Sequence, residues 1–159
     1  KLPAPLKKQK LFQILKLQIY SGLSGEAYAA ALEEFEKMNA DEPNMYLALL
    51  DVYYTRKEYD KALNTINKID TLINTDPFLD YYRGLTYNLK ADEGEARKCF
   101  ERLYRYKPGF ESGTLELIVN YLAAGDFDKA GPVIETYRNN PHFDQDLLDA
   151  NLEIYPSGK

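Results

Sequence analysis

The sequence predicts an all-α protein, a solenoid of antiparallel helix pairs, and three observations lead to this prediction. Tyrosines recur at intervals of 33, 34, 34 and 34 residues, which is the signature of a repeat architecture. Within each repeat the apolar residues follow helical spacing, and the alternation typical of strands is missing. Turn signals divide every repeat into two helices, so each repeat is a helix pair. The tyrosine series comprises Tyr20, Tyr53, Tyr87, Tyr121 and Tyr155.

The first helix of each pair carries the series tyrosine on an apolar stripe. In the second repeat Tyr46, Leu49, Leu50 and Tyr53 fall within about 100° of one another at about 100° per residue. We expect this stripe to face the core.

The second helix of each pair carries a small residue with nearly the same period. Alanines recur at intervals of 31, 34 and 34 residues, and a proline that follows the second helix recurs at 34, 31 and 33. A small side chain lets two helices approach closely while large neighbours fill the space on either side. Proline disfavours helical geometry in the residue before it and so marks a boundary. The series are Ala31, Ala62, Ala96 and Ala130, and Pro43, Pro77, Pro108 and Pro141.

These signals place a single domain over residues 1–159. A solenoid must cover the apolar flank of its last complete pair, and we expect a terminal helix to do so. The predicted repeats cover residues 6–42, 43–76, 77–108 and 111–140, and the capping helix covers 144–155.

Three stretches carry a resemblance to a known family. They are YLALLDVYYTRKEYDKALNTINKI (46–69), GLTYNLKADEGEARKCFERLYRYKP (84–108) and LIVNYLAAGDFDKAGPVIETY (117–137), and they resemble tetratricopeptide repeats. The resemblance implies a right-handed superhelix whose concave side is lined by the first helix of each pair. It also implies that a protein or peptide partner binds in this groove.

The chain departs from the family pattern at two places that affect packing. The third repeat has Asp80 and Arg83 where apolar residues are usual in the family. The fourth has Pro132 inside its second helix, where proline cannot donate to the carbonyl of Asp128, so we expect a kink.

A second stripe on the first helices is predicted to line the groove. This stripe occupies the positions nine, six and two residues before the series tyrosine and one residue after it. At about 100° per residue, it lies about 120° around the helix from the core stripe. An alternative for the third repeat is that Tyr81 and Leu85 fill the interior, because Asp80 and Arg83 occupy the usual core places. The predicted groove residues are Ile14, Leu47, Asp51, Tyr54, Phe78, Tyr81, Tyr82, Leu85, Asn88, Leu115 and Val119.

The chemistry of this stripe indicates the kind of partner. Some family members grip the terminal carboxylate of a chaperone tail with cationic and amide side chains on these helix faces. The resemblance places other residues there, so recognition of an acidic chain end is disfavoured and the partner should supply apolar or aromatic side chains. The matching positions hold Leu47, Ala48, Asp51, Phe78, Tyr82, Ser112 and Glu116.

Composition argues against most other functions. The net charge is -5, and the first 16 residues hold five lysines and no acid, so the remainder carries -10; an acidic chain of this kind is a poor match for nucleic acid. No apolar run approaches the roughly 20 residues that cross a bilayer, so membrane insertion is not expected. Cys99, the single cysteine, falls on a predicted packing face, and His142, the single histidine, falls in a predicted turn. We therefore expect no catalytic site, no metal site and no cofactor.

The start of the chain lacks both an initiator methionine and a signal-type apolar stretch, so we expect a processed chain or an excised piece. The alternative to a binding module is a spacer or self-association region of a larger chain, in which the lysine-rich start meets the acidic capping helix of another copy. The sequence assigns neither a compartment nor an oligomeric state.

Overall fold

The structure, a computed structural model, describes residues 9–23 and 25–155. These residues form nine helices and no strand, so the prediction of an all-α protein is confirmed. The helices are α1 (Lys10–Ser21), α2 (Glu26–Met38), α3 (Pro43–Thr55), α4 (Tyr59–Ile73), α5 (Leu79–Leu89), α6 (Glu93–Tyr106), α7 (Glu111–Ala123), α8 (Phe127–Arg138) and α9 (Gln145–Ile154).

The chain divides into two compact units, Lys1–Thr75 and Asp76–Lys159. The first contains α1 to α4 and the second contains α5 to α9. The division falls where the second predicted repeat ends and the third begins. A single domain of four repeats stays a prediction of the repeat pattern.

In the first unit α1 packs on α2, α3 packs on α4, and α1 also contacts α3. The α1–α2 pair is antiparallel, because Gln13 meets Asn39 while Lys16, further along α1, meets Glu34, which lies earlier in the chain. The predicted core stripe of α3 is confirmed, since each of its four residues is 2% exposed or less. They are Tyr46, Leu49, Leu50 and Tyr53.

Arg56 connects the two helix pairs of the first unit. Its Nη1 donates to the carbonyl oxygens of Ser21, at 2.6 Å, and Leu23, at 3.1 Å. Its guanidinium carbon lies 3.9 Å from the centre of the Tyr28 ring in α2. One cation thus satisfies carbonyls at the end of α1 and stacks on the next helix.

In the second unit α5 packs on α6, α6 packs on α7, and α7 packs on α8. Helices α5 and α6 are antiparallel: Asp80 near the start of α5 meets Arg102 near the end of α6, and Gly84 meets Phe100. The core of this unit includes Phe100, and Leu148 of α9 is buried in the same cluster. The last helix therefore contributes an apolar side chain to the core.

The 34-residue period appears in the structure as one repeated turn. In three pairs a residue in the left-handed region follows the first helix, with φ of 58°, 59° and 73°. The amide of the next residue donates to the carbonyl of the series tyrosine at 2.8 to 2.9 Å, which satisfies an unpaired carbonyl of the helix end. The left-handed residues are Lys57, Ala91 and Gly125, and the tyrosines are Tyr53, Tyr87 and Tyr121.

On the second helices all four alanines of the series are buried, at 6% exposed or less. Helix α4 is the longest at 15 residues and stops where Asn74 adopts a left-handed conformation. Pro132 lies inside α8. The kink expected there stays a prediction.

The charged residues at the core positions of α5 are paired. Asp80 is only 8% exposed, and it accepts from Arg102 Nε and Nη2, at 2.9 Å each, and from Arg83 Nη1 at 3.2 Å. Two guanidinium groups therefore replace the solvation that this carboxylate loses on burial.

Candidate binding surface

The structure describes the predicted groove residues in two sets, one in each unit. In the first unit, Ile14 of α1 is half-buried. On α3, Leu47 and Tyr54 are half-buried and Asp51 is exposed. The three side chains of α3 are more accessible than the buried core stripe of the same helix, as a surface stripe requires.

In the second unit, α5 carries an aromatic cluster. The ring centre of Phe110, just before α7, lies 5.0 Å from that of Phe78 and 5.1 Å from that of Tyr81, both edge to face. Tyr81 also contacts Tyr82, with ring centres 5.7 Å apart. Phe78 is 37% exposed, and Tyr81 and Tyr82 are half-buried. The rings fix one another while part of the cluster stays accessible to solvent.

The alternative for the third repeat, in which Tyr81 and Leu85 fill the interior, agrees with the structure in part. Tyr81 and Leu85 are partly buried and pack against the core cluster, and so does Leu115 of α7. Asp80 keeps its core position because its arginine partners neutralise it. Since Tyr81 and Leu85 are not fully buried, they can support the core and still border the surface.

Helix α7 completes this surface beside α5. Val119 is half-buried. Asn88 of α5 donates from Nδ2 to Oε2 of Glu116 at 3.3 Å, which joins the two first helices of neighbouring pairs. We call the surface formed by Phe78, Tyr81, Tyr82, Leu85, Asn88, Leu115, Glu116 and Val119 the α5–α7 face.

The electrostatics of the α5–α7 face are set by Glu116. Burial alone raises the pKa of this half-buried carboxyl. Burial, followed by the charge of Glu116, raises the pKa of Tyr81, and a hydrogen bond with the Ser112 side chain opposes this shift. The face thus combines aromatic rings with one carboxylate in a partly desolvated setting.

The first unit carries a large apolar opening that the sequence reasoning did not predict. A cavity of about 620 Å³ lies between α1 and α2. Leu15 and Ile19 line it, and along with Leu11 they form an exposed stripe on α1, with exposed fractions of 46%, 69% and 67%. The signal in the sequence was the i, i+4, i+8 spacing of these three residues, which gives α1 an apolar side besides the one that faces the core.

Glu116 is not among the predicted groove residues, although the resemblance places it at a clamp position. It lies four residues after Ser112 and three before Val119, both of which occupy groove positions, so helical spacing places it on the same stripe. That spacing could have identified it.

The residues considered for chemistry occupy the places predicted for them. Cys99 is buried, and its thiol pKa is raised chiefly by that burial. His142 lies exposed in a turn, where its amide donates to Asn140 Oδ1 at 3.1 Å. Across residues 9–23 and 25–155, no three His, Cys, Asp or Glu side chains converge as metal ligands would. No helix within those same ranges combines the length and apolar character needed to span a bilayer.

Comparisons of the chain with protein-family models, with curated proteins and with solved structures gave no match.

Proposed function

We propose that this chain is a non-catalytic protein-interaction module of the tetratricopeptide-repeat kind. Its helix pairs would stack as a right-handed superhelix, and the first helices would hold a peptide or a helical segment of a partner. The repeat period and the recurrent turn after the series tyrosines support this proposal.

The observation that carries the proposal is the half-exposed aromatic cluster on the α5–α7 face. Aromatic rings held edge to face present a large apolar area at a small cost in side-chain entropy, and such residues dominate binding energy in protein interfaces. An extended peptide or an amphipathic helix with apolar side chains suits this surface. A short peptide that buries less than about 1,200 Å² in total would bind near micromolar, or about -8 kcal/mol.

Replacing Tyr82 with alanine is expected to weaken peptide binding by roughly tenfold or more, because the ring would contact the partner directly. The melting temperature should change little, since the ring is only half-buried. The probe is the tightest synthetic peptide from a random display library selected on the whole chain, and the measurement is calorimetric titration.

Tyr106→Ala is the matched control. Tyr106 ends the second helix α6 and is 69% exposed, so its loss should change affinity by less than about twofold. Equal losses of affinity for the Tyr82 and Tyr106 variants, or none for Tyr82→Ala, would contradict binding on the α5–α7 face.

The exposed stripe of α1 supports a second candidate function, self-association. Leu11, Leu15 and Ile19 could pack on the exposed Leu147 and Ile154 of α9 in another copy. The structure describes two of the five lysines near the start, and both are paired within the chain, Lys10 with Glu42 and Lys16 with Glu34. Apolar contact, rather than attraction between opposite charges, is therefore the main support for this function.

Under this candidate function, sedimentation should show association that increases with protein concentration and persists in high salt, because screening weakens charge attraction but not apolar contact. Ile19→Glu should return the chain to a monomer. Leu72→Glu, at another exposed apolar position of the first unit, should leave association unchanged. A single monomeric species at every concentration and salt level would rule self-association out.

A further inference from the structure

Glu116 differs from the other acids that pack inside the second unit. Asp80 is paired with two arginines, and Glu101 and Glu111 each accept a tyrosine hydroxyl, at 2.8 and 2.7 Å. Glu116 has only the amide of Asn88, and within the described ranges no lysine, arginine or histidine forms an ion pair with it. Most of the hydrogen-bonding capacity of this carboxylate is thus available to a ligand.

The groups around Glu116 suit a positive charge. Tyr81 lies close enough for the charge of Glu116 to raise its pKa, and Tyr81 and Tyr82 are in ring contact. A cation is attracted both to a carboxylate and to the face of an aromatic ring, and each attraction grows when water is partly excluded. Asn88 holds one carboxylate oxygen from the α5 side and so orients the group.

We infer that the α5–α7 face accepts a cationic side chain of its partner, the guanidinium of an arginine or the ammonium of a lysine, as the counter-ion of Glu116. The surrounding Tyr82, Leu85 and Val119 would contact the apolar residues that flank this cation. The inference rests on the proposed function and specifies the chemistry of the partner. A half-buried acid without a counter-ion lowers the stability of the free chain, and the partner would supply the missing charge.

This inference predicts opposite effects of Glu116→Gln on stability and on binding. Burial raises the pKa of Glu116 in the folded chain above its value in the unfolded chain. The protonated group therefore contributes its full stability at pH values below the unfolded pKa, and this stability is lost as the pH rises through the folded pKa. At pH 7 the neutral glutamine should therefore raise the melting temperature. The same change should weaken binding of a basic peptide by roughly tenfold or more, because it removes a charge-assisted contact.

The experiment selects peptides from a random display library on the whole wild-type chain and titrates the tightest one as a synthetic peptide. We expect an arginine or lysine at one fixed position between apolar or aromatic residues. Replacing that residue with neutral citrulline should weaken binding to the wild-type chain by roughly tenfold or more, and the citrulline peptide should bind Glu116→Gln and wild type about equally. Glu135→Gln, at an exposed position of α8, should change affinity by less than about twofold.

The outcomes separate this inference from the proposed function. The selected peptides could need Tyr82 for binding and yet lack a basic residue, or bind equally well with citrulline in its place. Either result would overturn the inference and leave the proposed function standing. Failure to select any peptide whose binding depends on Tyr82 would overturn both. The citrulline peptide is measured on the wild-type chain, so this arm does not depend on the folding of any variant.

Discussion

Replacing Gly84 with leucine is expected to lower the free energy of unfolding by about 3 kcal/mol or more. Gly84 of α5 lies directly against the ring of Phe100 on α6, where an added Cβ would lie 2.5 Å from Cε1 and Cζ of Phe100. Phe100 is fully buried in the core of the second unit, so its ring has little room to move. Because the chain has no tryptophan, unfolding in guanidinium is followed by far-ultraviolet circular dichroism, which measures the loss of stability.

Gly94→Leu is the matched control, because it introduces the same side chain at a helical glycine of α6. The nearest atom to its added Cβ is Asp92 Oδ1 at 3.9 Å, so there is space for the side chain. Leucine has a higher helix propensity than glycine, and this variant should be neutral or more stable by up to about 1 kcal/mol. Phe100→Leu should recover part of the stability of the Gly84 variant, and a Gly84→Leu protein as stable as wild type would contradict the close approach.

Replacing Asp80 with alanine is expected to lower the free energy of unfolding by about 2 to 3 kcal/mol. The change leaves Arg102 and Arg83 without the carboxylate that both of them bind. Breaking a fully buried pair costs about 3 to 5 kcal/mol, and the Arg102 side chain is 42% exposed, so water recovers part of that loss. Denaturant unfolding measured at pH 7 tests this value.

Asp149→Ala provides the control for Asp80→Ala. Asp149 accepts from Arg138 at 2.6 Å, and both side chains are about half exposed, so the loss of this pair should cost less than about 1 kcal/mol. The double change Asp80→Leu with Arg102→Met should recover most of the lost stability, because an apolar pair needs no charge partner. Similar losses for the Asp80 and Asp149 variants would show that burial does not strengthen the Asp80 pairs.

Regular features of the chain could be predicted from the sequence because they follow from local rules. The stripe from Tyr46 to Tyr53 and the alanine series are buried as helical periodicity indicates. The proline and turn signals placed most of the helix ends. Helix α6 begins at Glu93, because Asp92 caps it by accepting from the Glu95 amide at 3.2 Å.

Other features could not be predicted, because they depend on which side chains meet across helices. The sequence shows Asp80 as a charged residue at an apolar position, but its partner Arg102 lies 22 residues away on the next helix. The left-handed conformations of Lys57 and Ala91 are set by the repeated turn and not by residue type, since neither is a glycine. Among the residues that the structure describes, no cation pairs with Glu116, and this follows from how the second unit folds.

The most direct test of the account is nuclear magnetic resonance mapping of the selected peptide on the isotope-labelled whole chain. We predict that the largest amide shift changes fall on α5 and α7, at Tyr82, Asn88, Glu116 and Val119, with small changes on α6 and α8. Changes concentrated on Leu15 and Ile19 of α1, or on the exposed sides of α6 and α8, would contradict the assignment of binding to the α5–α7 face.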